Sequence, residues 1–142
     1  ALMYRALVLE TFDPVFLSAH HRGVPPWVWH QGFLMLVVLN LVANALRVTP
    51  AGHPIILQVA MDPPVGYLEV RDGGPGLSDS DLEVAFEPAE LYSRYRGLRQ
   101  VGTGVGLALV GRLADRLGGQ ASAGHAPEGG ACFRVSFPPV AG

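Results

Sequence analysis

Asn40, Asn44 and Arg47 stand at i, i+4 and i+7 within "NLVANALRVTP" (40–50), directly after the apolar run "FLMLVVL" (33–39). That spacing sets three polar groups on one face of a helix, while Leu36, Leu39, Ala43 and Leu46 spread over the rest. Burying amides and a cation without partners is costly, so either the fold or a bound group must satisfy them. At about 1.5 Å of rise per residue the two amides lie roughly 6 Å apart along the axis. Two amide oxygens so spaced can hold an oxygen-seeking cation such as Mg²⁺ together with phosphate oxygens. Bonds to neighbouring backbone would satisfy the same amides, and for an isolated helix that is the simpler account.

Two glycine-bearing stretches add chemistry. "EVRDGGPGLS" (69–78) puts Asp72 at a strand end, followed by Gly73, Gly74 and Gly76. A carboxylate there can accept a hydrogen bond from an exocyclic amine, and glycines let a flat ligand approach the backbone. Alone, it reads equally as an Asp-Gly turn. It lacks the alternating acidic ligands of a calcium loop. "GTGVGLALV" (102–110) is a glycine loop opening into a helix, whose free backbone amides and positive terminus form an anion site. Leu107 stands where a dinucleotide fingerprint needs a third glycine, and no Gly-Lys-Ser/Thr follows as in a Walker loop. His20, His21, His30 and His53 show no metal-ligand spacing. Cys132, within a strand, reads as a small core residue, and Trp27 and Trp29 as packing at the helix entry.

The elements that must position these groups follow from periodicity and punctuation. "YRALVLE" (4–10) reads as a strand, and a long helix is expected from about Gln31 to Arg47, ended by "TPAGHP". "IILQVAM" (55–61) and "GYLEVRD" (66–72), joined by "DPPV", predict an antiparallel hairpin. "SDSDLEVAF", with an N-cap serine and an acidic first turn, predicts a short helix at 80–86. Residues 87–103 are polar, arginine-rich and irregular. "VGLALVGRLADRLGG" (105–119) predicts an amphipathic helix stopped by glycines. "QASAG" and "ACFRVSFP" predict two strands around "HAPEGG". This order implies a two-layer α/β sandwich, a mixed and mostly antiparallel sheet with helices on one face.

Composition narrows the class. The 142 residues are 49% hydrophobic and 15% charged, the profile of one folded domain and not of a disordered chain. A net charge of −2 points to no bulk electrostatic partner such as nucleic acid or an anionic membrane. A single cysteine excludes an intrachain disulfide and a cysteine zinc cluster, and a reducing, cytoplasmic setting is expected. Phe33 to Leu46 reads as too short to span a bilayer, no signal peptide is visible, and the abrupt start suggests a piece of a larger protein.

In order, an Asn-x-x-x-Asn-Ala helix, an Asp-x-Gly-x-Gly turn, a Phe-Glu-Pro segment and a Gly-x-Gly-x-Gly-Leu helix start resemble the catalytic ATP-binding domain of sensor histidine kinases. That domain belongs to the GHKL superfamily, shared with DNA gyrase, heat-shock chaperone and mismatch-repair ATPases, and the resemblance covers about residues 28–138. "NLVANALRVTP" is similar to its N box, "DGGPG" to its first glycine box, "AFEP" to its F box and "GTGVGL" to its second glycine box. The resemblance implies the Bergerat ATP-binding fold with three helices on one face, and ATP with Mg²⁺ as ligands. It implies that Asn44 ligates Mg²⁺ with Asn40 on the same face, and that Arg47 contacts phosphate. Asp72 would accept from the adenine amino group beside Gly74 and Gly76. Gly102, Thr103, Gly104, Val105, Gly106 and Leu107 would form the phosphate-side loop. Residues 87–103 would be the ATP lid, anchored by Phe86, with Arg94, Arg96 or Arg99 reaching the γ-phosphate.

Departures from the pattern are informative. Arg47 replaces the usual lysine, keeping charge but changing phosphate geometry. Val48 stands where an aromatic or histidine is usual, "AELY" (89–92) lacks the second aromatic of the F box, and Val105 replaces leucine. The ATPase relatives carry a glutamate base four residues before the metal asparagine. Asn40 stands there, and an amide cannot take up a proton at neutral pH, which favours phosphoryl transfer to an external nucleophile over hydrolysis. "HHRGVPP" lacks the acidic residue of a phosphoacceptor motif, so the acceptor histidine is expected on a dimerisation domain outside these residues, in the same protein or another chain. A response regulator downstream and an inner-membrane receptor as wider context follow from the resemblance. An anti-sigma-factor-type serine kinase, and a degenerate nucleotide-binding or interaction module, use the same boxes and stay open at this point.

Overall fold

The computed structural model describes residues 26–98 and 104–138. The expected strand at 4–10, His20, His21, Arg99, Gly102 and Thr103 lie outside the described residues. Two compact units divide after Leu34, within the first helix, α1 (Pro26–Val48). The second unit, from Met35 onward, holds the rest of that helix, the sheet and every later helix.

Helix α1 starts at Pro26, five residues before the expected Gln31. Proline suits a first turn, because the N–H it lacks has no helical acceptor there and its ring presets φ. Thr49 donates the last helical bond to the Ala45 carbonyl at 3.0 Å, and Pro50 cannot continue it. The longer helix also corrects the expectation for 33–46: His30–Val48 is long and apolar enough, by length and composition, to cross a membrane. Within the second unit, however, Val37, Leu41 and Ala45 form a fully buried stripe at i, i+4 and i+8. Burying the Val37 and Leu41 side chains stabilises the fold by about 1.5–3 kcal/mol each.

The chain then forms β1 (Ile56–Asp62), β2 (Val65–Arg71), α2 (Asp79–Glu83), α3 (Glu90–Tyr95), α4 (Gly106–Arg116), β3 (Gln120–His125) and β4 (Ala131–Phe137). The sheet order is β1-β2-β4-β3. All three ladders among the described residues are antiparallel, so the parallel pairing of a mixed sheet is not seen in them. The expected hairpin is present, turning at Pro63-Pro64 with Asp62 opposite Val65. Leu68 and Val70 of β2 pair with Val135 and Phe133 of β4, and these four side chains are buried on one face. Helix α4 packs on β3 and β4, burying Leu109, Val110, Leu113 and Ala114.

Alternate residues point to the opposite face, where buried Glu69 lies directly across from Arg134. Arg134 donates from Nη2 and Nε to Glu69 Oε2 at 2.6 and 2.9 Å, and stacks 4.2 Å from the Tyr67 ring centroid. Two donors on one carboxylate are what make a buried charge tolerable. Cys132 sits beside this pair, half-buried, with its thiol pushed up to about 11 chiefly by burial.

Helix α3 overturns the reading of 87–103 as wholly irregular. Six residues carry too little periodicity to reveal a helix, and so short a helix is not stable alone. Tertiary contacts must hold it.

Candidate functional site

The side of α1 next to its buried stripe carries Asn40, Asn44 and Arg47. Asn40 Nδ2 donates one turn back to the Leu36 carbonyl at 2.8 Å. Its Oδ1 abuts the first residue of α4: a Cβ on Gly106 would lie 3.0 Å from it. The absence of a side chain at Gly106 therefore lets α1 meet the head of α4 through Asn40. The side chain of Asn44, half-buried, makes no hydrogen bond among the described residues, and exposed Arg47 makes no ion pair among them.

Asp72 follows β2 directly and is 3% exposed. Its Oδ1 accepts from the backbone N–H of Gly74 at 2.9 Å and of Ala131 at 3.1 Å. Its own N–H donates to the Ala131 carbonyl at 2.9 Å. Oδ2 takes no hydrogen bond among the described residues. One oxygen thus locks the carboxylate in place and the other is left to accept. The lock depends on Gly130, where a Cβ would fall 1.8 Å from the Asp72 carbonyl oxygen and 2.5 Å from Oδ1. Gly76 has φ +74°, a left-handed turn that favours glycine.

The end of α1 is tied to this turn. Thr49 Oγ1 accepts from Gly73 N–H at 3.2 Å. Val48 lies against Gly74, where a Cβ would meet the Val48 carbonyl oxygen at 2.9 Å and Cγ2 at 3.0 Å. The residue that departs from the usual aromatic or histidine is thus a wall of the Asp72 turn.

No side chain caps α4, whose preceding residue Val105 is already helical, so its first amide donors are not taken by a side-chain cap. Leu107 is half-buried in the first turn. Gly104, at φ +74°, accepts at its carbonyl from Ala89 N–H at 3.1 Å, clipping together the chain before α3 and the chain before α4. Phe86 is wedged beside α4: its ring meets Phe133 edge-on at 6.2 Å, and a Cβ on Gly111 would lie 3.2 Å from its own. Arg96 is exposed at the end of α3. Arg94, one of the three arginines expected to reach the γ-phosphate, donates from Nη1 to Asp81 Oδ1 at 2.7 Å and to the Ser80 carbonyl at 3.2 Å. Gly102, Thr103 and Arg99 cannot be placed with these residues, lying outside the described ones.

Sequence reasoning missed Thr49, Gly130, Asp81 and Tyr95. Each acts through a partner at least 13 residues away, so nothing in its own neighbourhood gave a sign, although "PEGGA" did mark a tight turn at Gly130. Among the described residues no group of three or more His, Cys, Asp or Glu side chains could hold a metal.

A family model described as histidine kinase-, DNA gyrase B- and HSP90-like ATPase matches residues 30–141. The sensor protein TorS of Escherichia coli (strain K12) is 41% identical over 102 residues, covering 72% of this chain and 11% of that protein. The swarming motility regulation sensor protein RssA of Serratia marcescens is 38% identical over 115 residues, covering 80% of this chain and 22% of that protein. The chain therefore spans less than a quarter of the length of either relative. Among solved structures, full-length ShkA in complex with AMPPNP is 30% identical with a TM-score of 0.62, over 78% of this chain and 23% of that one. The ATP-binding domain of PrrB from Mycobacterium tuberculosis is 27% identical with a TM-score of 0.58, over 78% of this chain and 69% of that one.

Proposed function

Because the chain belongs to the histidine kinase-, DNA gyrase B- and HSP90-like ATPase family, we propose that it binds ATP with Mg²⁺ and delivers the γ-phosphoryl to a histidine on a dimerisation domain. The domain is of the histidine-kinase catalytic, ATP-binding kind. The observation that carries the reading is the division of labour in Asp72, with Oδ1 locked by two backbone amides and Oδ2 open. An acceptor fixed in that way suits the amino group of adenine. At the other end stand the groups for phosphate: the α4 head, Asn44 and Arg47.

In this reading Asn44 holds the metal and Arg47 neutralises phosphate oxygens, with Asn40 placing α1 against α4. Bound Mg²⁺ would supply charge neutralisation across the phosphate oxygens. Phosphoryl transfer rests on positioning and electrostatics, which these residues can provide without a general base of their own. Asn40 fits this, being engaged with Leu36 and unable to accept a proton from water. The acceptor histidine, a response regulator that receives the phosphoryl group, and a membrane-anchored sensor with this domain in the cytoplasm complete the proposal.

The test is calorimetry with AMPPNP, with and without Mg²⁺, on the wild-type chain and Asn44→Ala. Wild-type binding should tighten with Mg²⁺ and that gain should vanish in Asn44→Ala. Labelling a dimerisation domain from radioactive ATP should give an acid-labile phosphohistidine. An acid-stable product would move the assignment to a serine kinase, and absence of nucleotide binding would remove it altogether.

A further inference from the structure

We propose that Asp81 is the positioning residue that anchors the first part of the lid, with Arg94 as its counter-ion and not as a phosphate ligand. The proposal rests on the ATP-binding reading only for the word lid; the anchor itself is a feature of the fold. Asp81 lies in α2 and is 5% exposed. Three side chains donate to its carboxylate. Ser78 Oγ reaches Oδ2 at 2.7 Å, Arg94 Nη1 reaches Oδ1 at 2.7 Å, and Tyr95 Oη donates to Oδ2. Ser78 also caps α2 by accepting from the Asp81 N–H at 3.3 Å. The hydrogen bond from Tyr95, followed by that from Ser78, holds the carboxyl well below the usual carboxylate range.

Arg94 and Tyr95 are the last two residues of α3, so both of the donors from outside α2 and its cap come from one end of that helix. The other end is held at Gly104. Ala89 donates to its carbonyl at 3.1 Å, and a Cβ on Gly104 would lie 2.9 Å from Tyr92 Cβ. Helix α3 starts from a left-handed Ala89 without a side-chain cap, at φ 60°, and is far shorter than a self-supporting helix. Two clamps therefore define where it sits, and Asp81 is the charged one. Because Gly104 stands two residues before α4, a shift of α3 is passed to the head of α4, where phosphate would bind. The Arg94 Nη1 donors are taken by Asp81 and the Ser80 carbonyl, which ties this guanidinium to α2.

Hydrogen exchange read by mass spectrometry, on the nucleotide-free chain, tests the anchor apart from any ligand. Asp81→Asn should raise exchange in 87–98 at least tenfold, while peptides from β2 and β4 keep wild-type protection. If Asp81→Asn loses sheet protection as well, Tyr95→Phe, which removes one donor, decides the matter by the same measure. In nucleotide binding, Asp81→Asn and Arg94→Met should weaken AMPPNP and ADP by a common factor. Their double mutant should be no worse than either single one. Unchanged exchange in 87–98 for both Asp81→Asn and Tyr95→Phe would overturn the anchor. A tenfold loss of AMPPNP affinity in Arg94→Met with ADP unchanged would return Arg94 to the γ-phosphate. A wild-type chain that binds no nucleotide would sink the functional reading while the exchange result still judged the anchor.

Discussion

Asp72→Asn separates the structural oxygen of this side chain from the one proposed to recognise adenine. Oδ1 accepts from Gly74 and Ala131 N–H groups at 2.9 and 3.1 Å, and an asparagine oxygen can keep both bonds. Those bonds lose their charge assistance, roughly 0.5–1 kcal/mol apiece, so stability should fall by about 1–2 kcal/mol and the domain should still fold. Oδ2 becomes an NH₂ group, and a donor then faces the adenine amine. Losing that bond and setting donor against donor costs about 3–4 kcal/mol, a drop of roughly 100- to 1,000-fold in affinity. Calorimetry with AMPPNP reads the loss, and circular dichroism reads the fold. The guanine counterpart of AMPPNP, with a carbonyl where adenine has its amine, should lose much less and can gain. A folded Asp72→Asn chain that bound AMPPNP within about threefold of wild type would refute the assignment of Oδ2 to the base.

Gly130→Ala should be the most damaging single methyl: its Cβ would stand 1.8 Å from a backbone oxygen, so the turn must move. A loss of stability above about 3 kcal/mol in denaturant unfolding, or failure to fold, is expected; a wild-type midpoint would contradict the packing described. Asp81 contributes stability through a lowered pKa, so its contribution is full above the unfolded value of about 3.9 and is lost as pH falls through the folded one. The difference in Tm between wild type and Asp81→Asn should therefore be constant from about pH 8 to about 5 and shrink below about 4; a gap that widened on acidification would reverse the sign. Cys132, with its thiol near 11, should alkylate at about pH 8 roughly 100-fold more slowly than an unperturbed thiol, and normally once urea unfolds the chain. Fast labelling of the folded protein would show the thiol to be open.

Much of the layout was legible because it is written in local patterns. The β1-β2 hairpin follows from two β-rich runs around Pro63-Pro64, α4 from its apolar period after a glycine loop, and the paired Asn40 and Asn44 from helical spacing. Helix α3 was illegible because ELYSRY offers no periodicity and its stability comes from Asp81 and Gly104. The start of α1 lies five residues before the expected Gln31 because Pro26 serves as a first helical residue.

By itself the sequence determined which chemistry was present: two amides and a guanidinium on one helix face, a carboxylate at a strand end, and glycines before a helix. Periodicity and residue type are local, and need no knowledge of what lies across the fold. Only the tertiary structure decided how that chemistry is shared out. It committed Asp72 Oδ1 to the backbone and left Oδ2 open, set Asn40 against Gly106, and paired Arg94 with Asp81. The Arg94–Asp81 pair and the Asp72–Ala131 bond each join residues at least 13 positions apart at about 3 Å, Asn40 meets Gly106 across 66 positions, and chain order alone does not encode such meetings.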